Sequence, residues 1–227
     1  MAFATSLRAV RRGLRGLSTL PAGLRLYRGA ADPSSRRVKV ALAELGVSDA
    51  VEHVVVDIGA KENRGDAFVK QTGTNQLPVL ALPGGEYLSE SLAICRYLND
   101  STDGALFGAG ALEAARVESA LYKLTLGLGA CVTGGFQHTQ PMFADRIVQV
   151  PEWGRHCILA APGKVDDLEA AMSDGRDFVC GAALTMADIH AVVALDFARV
   201  LQVRLDAAKH PNLAAWHARM KKRPSYK

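Results

Sequence analysis

The sequence of 227 residues predicts an α/β domain followed by an all-α helical-bundle domain. Three observations carry this. Residues 23–103 alternate short apolar runs with helical patterns, punctuated by proline and glycine. Asn99 to Gly110, with Ser, Thr, Asp and three glycines, has the composition of a linker. From 110 to 227 the apolar residues recur at helical spacing. Residues 1–22 stand apart as a basic N-terminal extension.

Apolar residues make up 49% of the chain and charged residues 22%, which is ordinary for a globular protein. No apolar run approaches the roughly 18–20 residues that span a bilayer, so no membrane span is expected. Cys95, Cys131, Cys157 and Cys180 are far apart and form no Cys-x-x-Cys pair, which argues against a metal site or a disulfide framework. The net charge of +4 is uneven: residues 1–31 hold six arginines and no acid, so the remainder carries −2. A nearly neutral body gives no reason to expect nucleic-acid binding.

Phe3, Leu7, Val10, Leu14 and Leu17 line one face of a helix, with Arg8, Arg11, Arg12 and Arg15 opposite. With Thr5, Ser6, Ser18, Thr19 and no acid, the segment resembles a mitochondrial transit peptide, and Arg15 to Ser18 resembles a matrix-protease cleavage site. A mitochondrial location is the expectation. A disordered basic tail or a mis-assigned start on a cytoplasmic protein is the alternative.

Leu24 to Tyr27 alternates as a strand, and Gly29-Ala30-Ala31 is a turn. Asp32-Pro33 then opens a helix, with Asp as cap and Pro at the first helical position. Val38, Val40, Ala41, Leu42 and Leu45 form its buried side and Gly46 ends it. Val51 to Ile58 is a second strand, apolar enough to be central, and a short helix follows around Asp66 to Gln71. Leu77-Pro78, a place suited to a cis bond, precedes a buried strand at Val79 to Leu82. Pro83-Gly84-Gly85 turns the chain into a strand at Glu86 to Leu88. Ser89-Glu90-Ser91 opens a helix whose apolar face is Leu92, Ile94, Cys95 and Leu98. Unpaired N–H groups and the helix dipole at such a start attract a carboxylate. The order of elements is that of a thioredoxin-like domain.

Asn75 to Asn99 resembles the glutathione-site half of the glutathione S-transferase N-terminal domain. The resemblance implies that Gln76 contacts the glycine carboxylate side of glutathione. It implies that the Leu77 backbone pairs with the cysteinyl group, and that Glu90 and Ser91 hold the γ-glutamyl amine and carboxylate. Asn63 falls where some relatives carry a histidine. In the family the turn after the first strand carries a catalytic Ser or Cys at its first place, but here that turn is Asp32-Pro33-Ser34-Ser35. A free thiol titrates near pH ~8.5 and must be lowered to act, whereas a nearby carboxylate raises it. Asp32 is therefore read as the helix cap, a proton-accepting base being the alternative. Ser34, with the N–H groups of Ser34 and Ser35, is the candidate catalytic donor to the thiolate. With no cysteine at Asp32 or Ser35, thiol–disulfide exchange through a protein cysteine is not expected at this turn.

Leu112, Ala115, Val117, Ala120, Leu121, Leu124 and Leu128 describe a long amphipathic helix, loosened later by Gly127, Gly129, Gly134 and Gly135. The family resemblance makes Tyr122, Phe136, His138 and Phe143 candidates for the second-substrate pocket, with a core or helix-end role as the alternative for each. His138 has no partner at metal-ligand spacing. Pro151-Glu152-Trp153-Gly154 reads as a loop, resembling bacterial-type members of the family, before a helix at Val165 to Met172. Thr185 to Asp188 has capping-box spacing ahead of an apolar helix, so Asp188→Ala is expected to cost ~1 kcal/mol or somewhat more. His210 to Trp216 and Arg223-Pro224-Ser225 resemble the family's closing helix. The implied activity is conjugation of the glutathione thiol to a hydrophobic electrophile by a homodimer, with glutathione as co-substrate and no other cofactor. The alternative is a glutathione-binding or scaffolding member without conjugating activity.

Overall fold

Four strands form one mixed sheet in the computed structural model, which describes residues 20–226. The extension expected at 1–22 lies outside the described residues as far as position 19. The described chain divides into two compact units, 20–30 with 45–104, and 31–44 with 105–226.

In the first unit, β1 (Leu24–Arg28) pairs parallel with β2 (Val51–Val55) and antiparallel with β3 (Val79–Ala81), which pairs with β4 (Tyr87–Leu88). The strand order β2-β1-β3-β4 corrects the expectation that the second strand is central. That place belongs to β1, which has partners on both sides, while β2 is an edge strand ending at Val55. Its apolar composition reflects burial at Val51 and just beyond it at Val56 rather than a second neighbour. Leu24, Leu26, Val79 and Leu80 of the sheet are fully buried, as are Ile94, Cys95 and Leu98 on α3 (Ser91–Asp100). Tyr27, Val56, Val79 and Ala81 form a second cluster with Phe68 of α2 (Asp66–Thr72), Leu77 and Tyr87. Gly84 and Gly85, at φ +97° and +89°, make the hairpin turn that residues with a Cβ adopt poorly.

The second unit is helical. It includes α1 (Pro33–Glu44), which follows β1 in the chain and packs on α7 (Met186–Ala198). The predicted division at residues 103–110 therefore does not describe the packing of α1. Helix α4 (Ala111–Leu124) passes through a π-helical segment, Thr125–Gly129, into α5 (Ala130–Thr139). The glycines of this region permit close approach: a Cβ on Gly134 would come within 2.8 Å of Cys157 Sγ.

Helix α6 (Pro151–Ala171) corrects two expectations. Pro151 to Gly154 is its first turn rather than a loop, and the helix predicted from Val165 is only its last part. Proline at the first helical position suits a helix start. Gly154 is buried so tightly against α5 that a Cβ there would meet Thr139 at 2.6 Å. Helix α7 is buried at every position except Asp196 and Phe197, and α8 (Pro211–Lys222) precedes a final turn, Pro224–Tyr226.

Candidate active site

The antiparallel register Leu80↔Leu88 and Ala81↔Tyr87 sets the position of the predicted glutathione residues. It brings the start of β3 and the end of β4 to the same end of the hairpin, the end that Gln76-Leu77 leads into and Glu90-Ser91 leads out of. Leu77 precedes a cis peptide bond to Pro78 and packs its side chain, half-buried, on the Tyr27 cluster. Gln76 is exposed, with its Nε2 donating to Asn75 Oδ1 at 2.7 Å.

Glu90 has φ +67° and ψ +111°, a conformation uncommon for a residue with a side chain. Such strain persists only where the surroundings over-determine it, and it clusters at functional sites. The first helical hydrogen bond of α3 runs from Ile94 N–H to the Glu90 carbonyl at 2.9 Å, so the N–H groups ahead of Ile94 have no intrahelical acceptor. The Glu90 side chain is exposed and has no partner among the described residues, while Ser91 is buried. A carboxylate beside the start of a helix can hold an ammonium and a carboxylate together, which is the arrangement of an α-amino acid.

Asn63 lies in a short 3-10 turn, Glu62–Arg64. It is buried, and its Nδ2 donates to the Asn75 carbonyl, fixing the loop that carries Gln76 and Leu77. Its Oδ1 is buried with no partner among the described residues. The sequence offered no signal for this strut, because the two asparagines meet only through the fold.

In the helical unit, Asp32 caps α1 as predicted. Its Oδ1 accepts the Ser35 N–H at 2.8 Å and its carbonyl accepts the Arg36 N–H at 3.0 Å. The other carboxylate oxygen, Oδ2, is buried without a partner among the described residues. Ser34 is half-buried, and its hydroxyl is engaged by no other described residue.

The four candidates for a second-substrate pocket separate. Phe136 meets Phe143 edge-on at 5.4 Å and Phe197 at 4.8 Å, forming an aromatic knot at the end of α5. His138 Nδ1 accepts the Val150 N–H at 3.0 Å and so anchors the entry to α6. These three have structural work to do. Tyr122 is 61% exposed on α4. Among the described residues no group of three His, Cys, Asp or Glu side chains is placed to hold a metal, and no helix is long and apolar enough to cross a membrane.

A mixed sheet in the thioredoxin-like order, followed in the chain by an all-helical unit, defines the two-part fold of the glutathione S-transferase class of protein. The chain belongs to the glutathione S-transferase family. Residues 33–101 match the model of the glutathione S-transferase N-terminal domain, and residues 162–224 match that of the C-terminal domain. It is similar to glutathione S-transferase 2 of Saccharomyces cerevisiae, 29% identical over 206 residues, covering 89% of this chain and 87% of that one. It is 30% identical over 190 residues to the dichloromethane dehalogenase of Methylorubrum extorquens, covering 78% of this chain and 64% of that protein. A crystal structure of a glutathione S-transferase domain-containing protein from Marinobacter aquaeolei superimposes with a TM-score of 0.83. That protein is 31% identical, with 89% of this chain and all of that one covered.

Proposed function

We propose that the protein is a glutathione transferase that activates the glutathione thiol for attack on an electrophilic small molecule. The observation that carries this is the Glu90–Ser91 step: a strained backbone, an unpaired carboxylate and a helix start, at the same end of the hairpin as Gln76 and Leu77. In this reading Glu90 holds the γ-glutamyl ammonium, and Ser91 with the helix start holds its carboxylate. The Leu77 backbone pairs with the cysteinyl unit, and Gln76 faces the glycine end.

The thiol gives its proton to solvent, and the Ser34 hydroxyl donates a hydrogen bond to the resulting thiolate. The sulfur lone pair forms the new S–C bond while the leaving group departs with the electrons of the bond that breaks. Asp32 remains the helix cap, since one of its oxygens is already committed to Ser35. Positioning of thiolate and electrophile supplies the rest of the acceleration. The same reading includes a homodimer and a mitochondrial address in residues 1–22.

A second reading is a glutathione-binding member without turnover, favoured by a carboxylate at a turn where the chemistry needs positive potential or donors. Binding to immobilised glutathione, followed by assays with an aryl halide and with dichloromethane, separates the two. Turnover of either electrophile supports the transferase. Binding without turnover supports the second reading, and absence of binding removes both. A fusion of residues 1–30 to a fluorescent protein that stays diffuse in the cytosol would refute the address, and a monomeric mass in solution would refute the dimer.

A further inference from the structure

Helix α1 carries the proposed thiol-activating turn at its start, yet nothing in that turn explains what holds the helix in place. The answer lies about 180 residues further along the chain. The first turn of α1 contains Arg36, two residues beyond Ser34. Its Nη1 lies 3.6 Å from Asp196 Oδ2, and its guanidinium carbon sits 4.3 Å from the centroid of the Tyr226 ring. The Tyr226 hydroxyl donates to the same Asp196 Oδ2 at 2.7 Å, and the Lys221 ammonium lies 4.8 Å from that ring. His217 Nε2 and Lys221 Nζ complete the cluster on Asp196, at 2.8 and 2.9 Å.

At the other end of α1, Glu44 accepts a bidentate pair from Arg223, at 2.5 and 2.7 Å, and a hydrogen bond from the Ser225 hydroxyl. The last residues of the chain therefore grip α1 at both ends. The grip on the first turn is of a different kind. A cation on an aromatic face and a carboxylate shielded from solvent, its side chain 9% exposed, act on one guanidinium.

We propose that Tyr226 and Asp196 are positioning residues of the thiol-activating turn, holding Arg36 so that Ser34 keeps its place. Neither touches glutathione. They act through Arg36 and the cap that follows from its placement, in which Ser35 and Arg36 donate to Asp32. The catalytic half of this inference rests on the reading of Ser34 given above, whereas the structural half does not.

The test compares Tyr226→Ala, Tyr226→Phe and the wild-type full chain by amide hydrogen exchange and by conjugation kinetics. In Tyr226→Ala the Ser35 and Arg36 amides exchange at least tenfold faster, while those of Ile189 to Val193 in α7 keep their wild-type rates. The kcat falls at least tenfold with KM for glutathione within threefold. Tyr226→Phe keeps the ring over Arg36 and stays within threefold of wild type in every measure. As a control, Lys209→Ala, which breaks an exposed pair with Asp166, changes none of them.

Should Tyr226→Ala fail to fold, Arg36→Met removes the gripped charge and carries the same expectations. Wild-type exchange at Ser35 and Arg36 in the variant, or equal acceleration in α7, overturns the proposal. If the wild type turns over no electrophile, the transferase reading fails by itself, and the exchange comparison still decides whether the clamp holds the turn.

Discussion

The indole N–H of Trp216 donates to Asp188 Oδ1 at 2.9 Å, tying α8 to the cap of the central helix. The Val179 N–H shares that oxygen at 2.8 Å, while Thr185 N–H and Oγ1 occupy Oδ2 at 2.8 and 3.0 Å. Asp188 is fully buried, and burial holds its carboxyl above the ordinary range despite these four donors. A capping box by itself costs ~1 kcal/mol to remove, but here removal also orphans Val179 and Trp216. Asp188→Ala is therefore expected to lose about 3–5 kcal/mol, read from urea midpoints. Affinity for glutathione should stay within threefold for whatever fraction remains folded. Lost binding with an unchanged melting temperature would refute the structural assignment.

His190, buried on α7, shares a hydrogen bond with Thr125 at 3.1 Å and leaves Nδ1 without a partner among the described residues. Burial, reinforced by the Arg37 charge, pushes its pKa from 6.5 down to about 3. The folded protein thus keeps the ring neutral where the unfolded chain would bind a proton. The associated stability is fully present above pH 6.5 and is lost as pH falls towards 3. Between pH 7.5 and 5 this single group should cost about 2 kcal/mol. Urea unfolding at both pH values should show His190→Leu lacking that component; parallel losses in variant and wild type would exclude it.

Ser34→Ala removes the proposed donor to the thiolate. The expected result is a fall of about 10²-fold in kcat for conjugation, with KM for glutathione little changed and the fold intact, since Asp32 and Ser35 still form the cap. An undiminished rate would exclude Ser34 from the role.

Ser91→Ala tests the binding half. Loss of one hydroxyl to the γ-glutamyl carboxylate should weaken glutathione about tenfold, or ~1.4 kcal/mol. Calorimetric titration against glutathione measures this directly, and an unchanged affinity would move the head group elsewhere.

Glu44→Ala breaks the bidentate pair with Arg223 and the bond from Ser225, all partly shielded from solvent. A loss of about 2–3 kcal/mol is expected. Replacing Arg223 and Ser225 together by alanine should reproduce it, and adding Glu44→Ala to that pair should cost little more, as shared partners are not additive.

What the chain reveals without coordinates is local. The Asp32-Pro33 cap, the Pro-Gly-Gly hairpin, the Glu90-Ser91 helix start and the Thr185–Asp188 capping box each lie within a few residues, where spacing alone dictates which groups can meet. That was enough for the fold class and for picking out the stretch proposed to bind glutathione. The tertiary structure decided what depends on partners distant in sequence. It put β2 at the edge of the sheet, because β1 and not β2 finds neighbours on both sides. It extended α6 through Pro162, because packing against α5 outweighs the local cost of a proline. It turned Asn63 into a strut, and it joined Glu44 to Arg223 and Arg36 to Tyr226. Glu44 and Arg223 stand 179 positions apart, and a sequence pattern carries no information about which charge will close so long a loop. Local geometry thus supports the proposed binding of glutathione, while the placement of the turn proposed to activate its sulfur depends on contacts that exist only once the chain has folded.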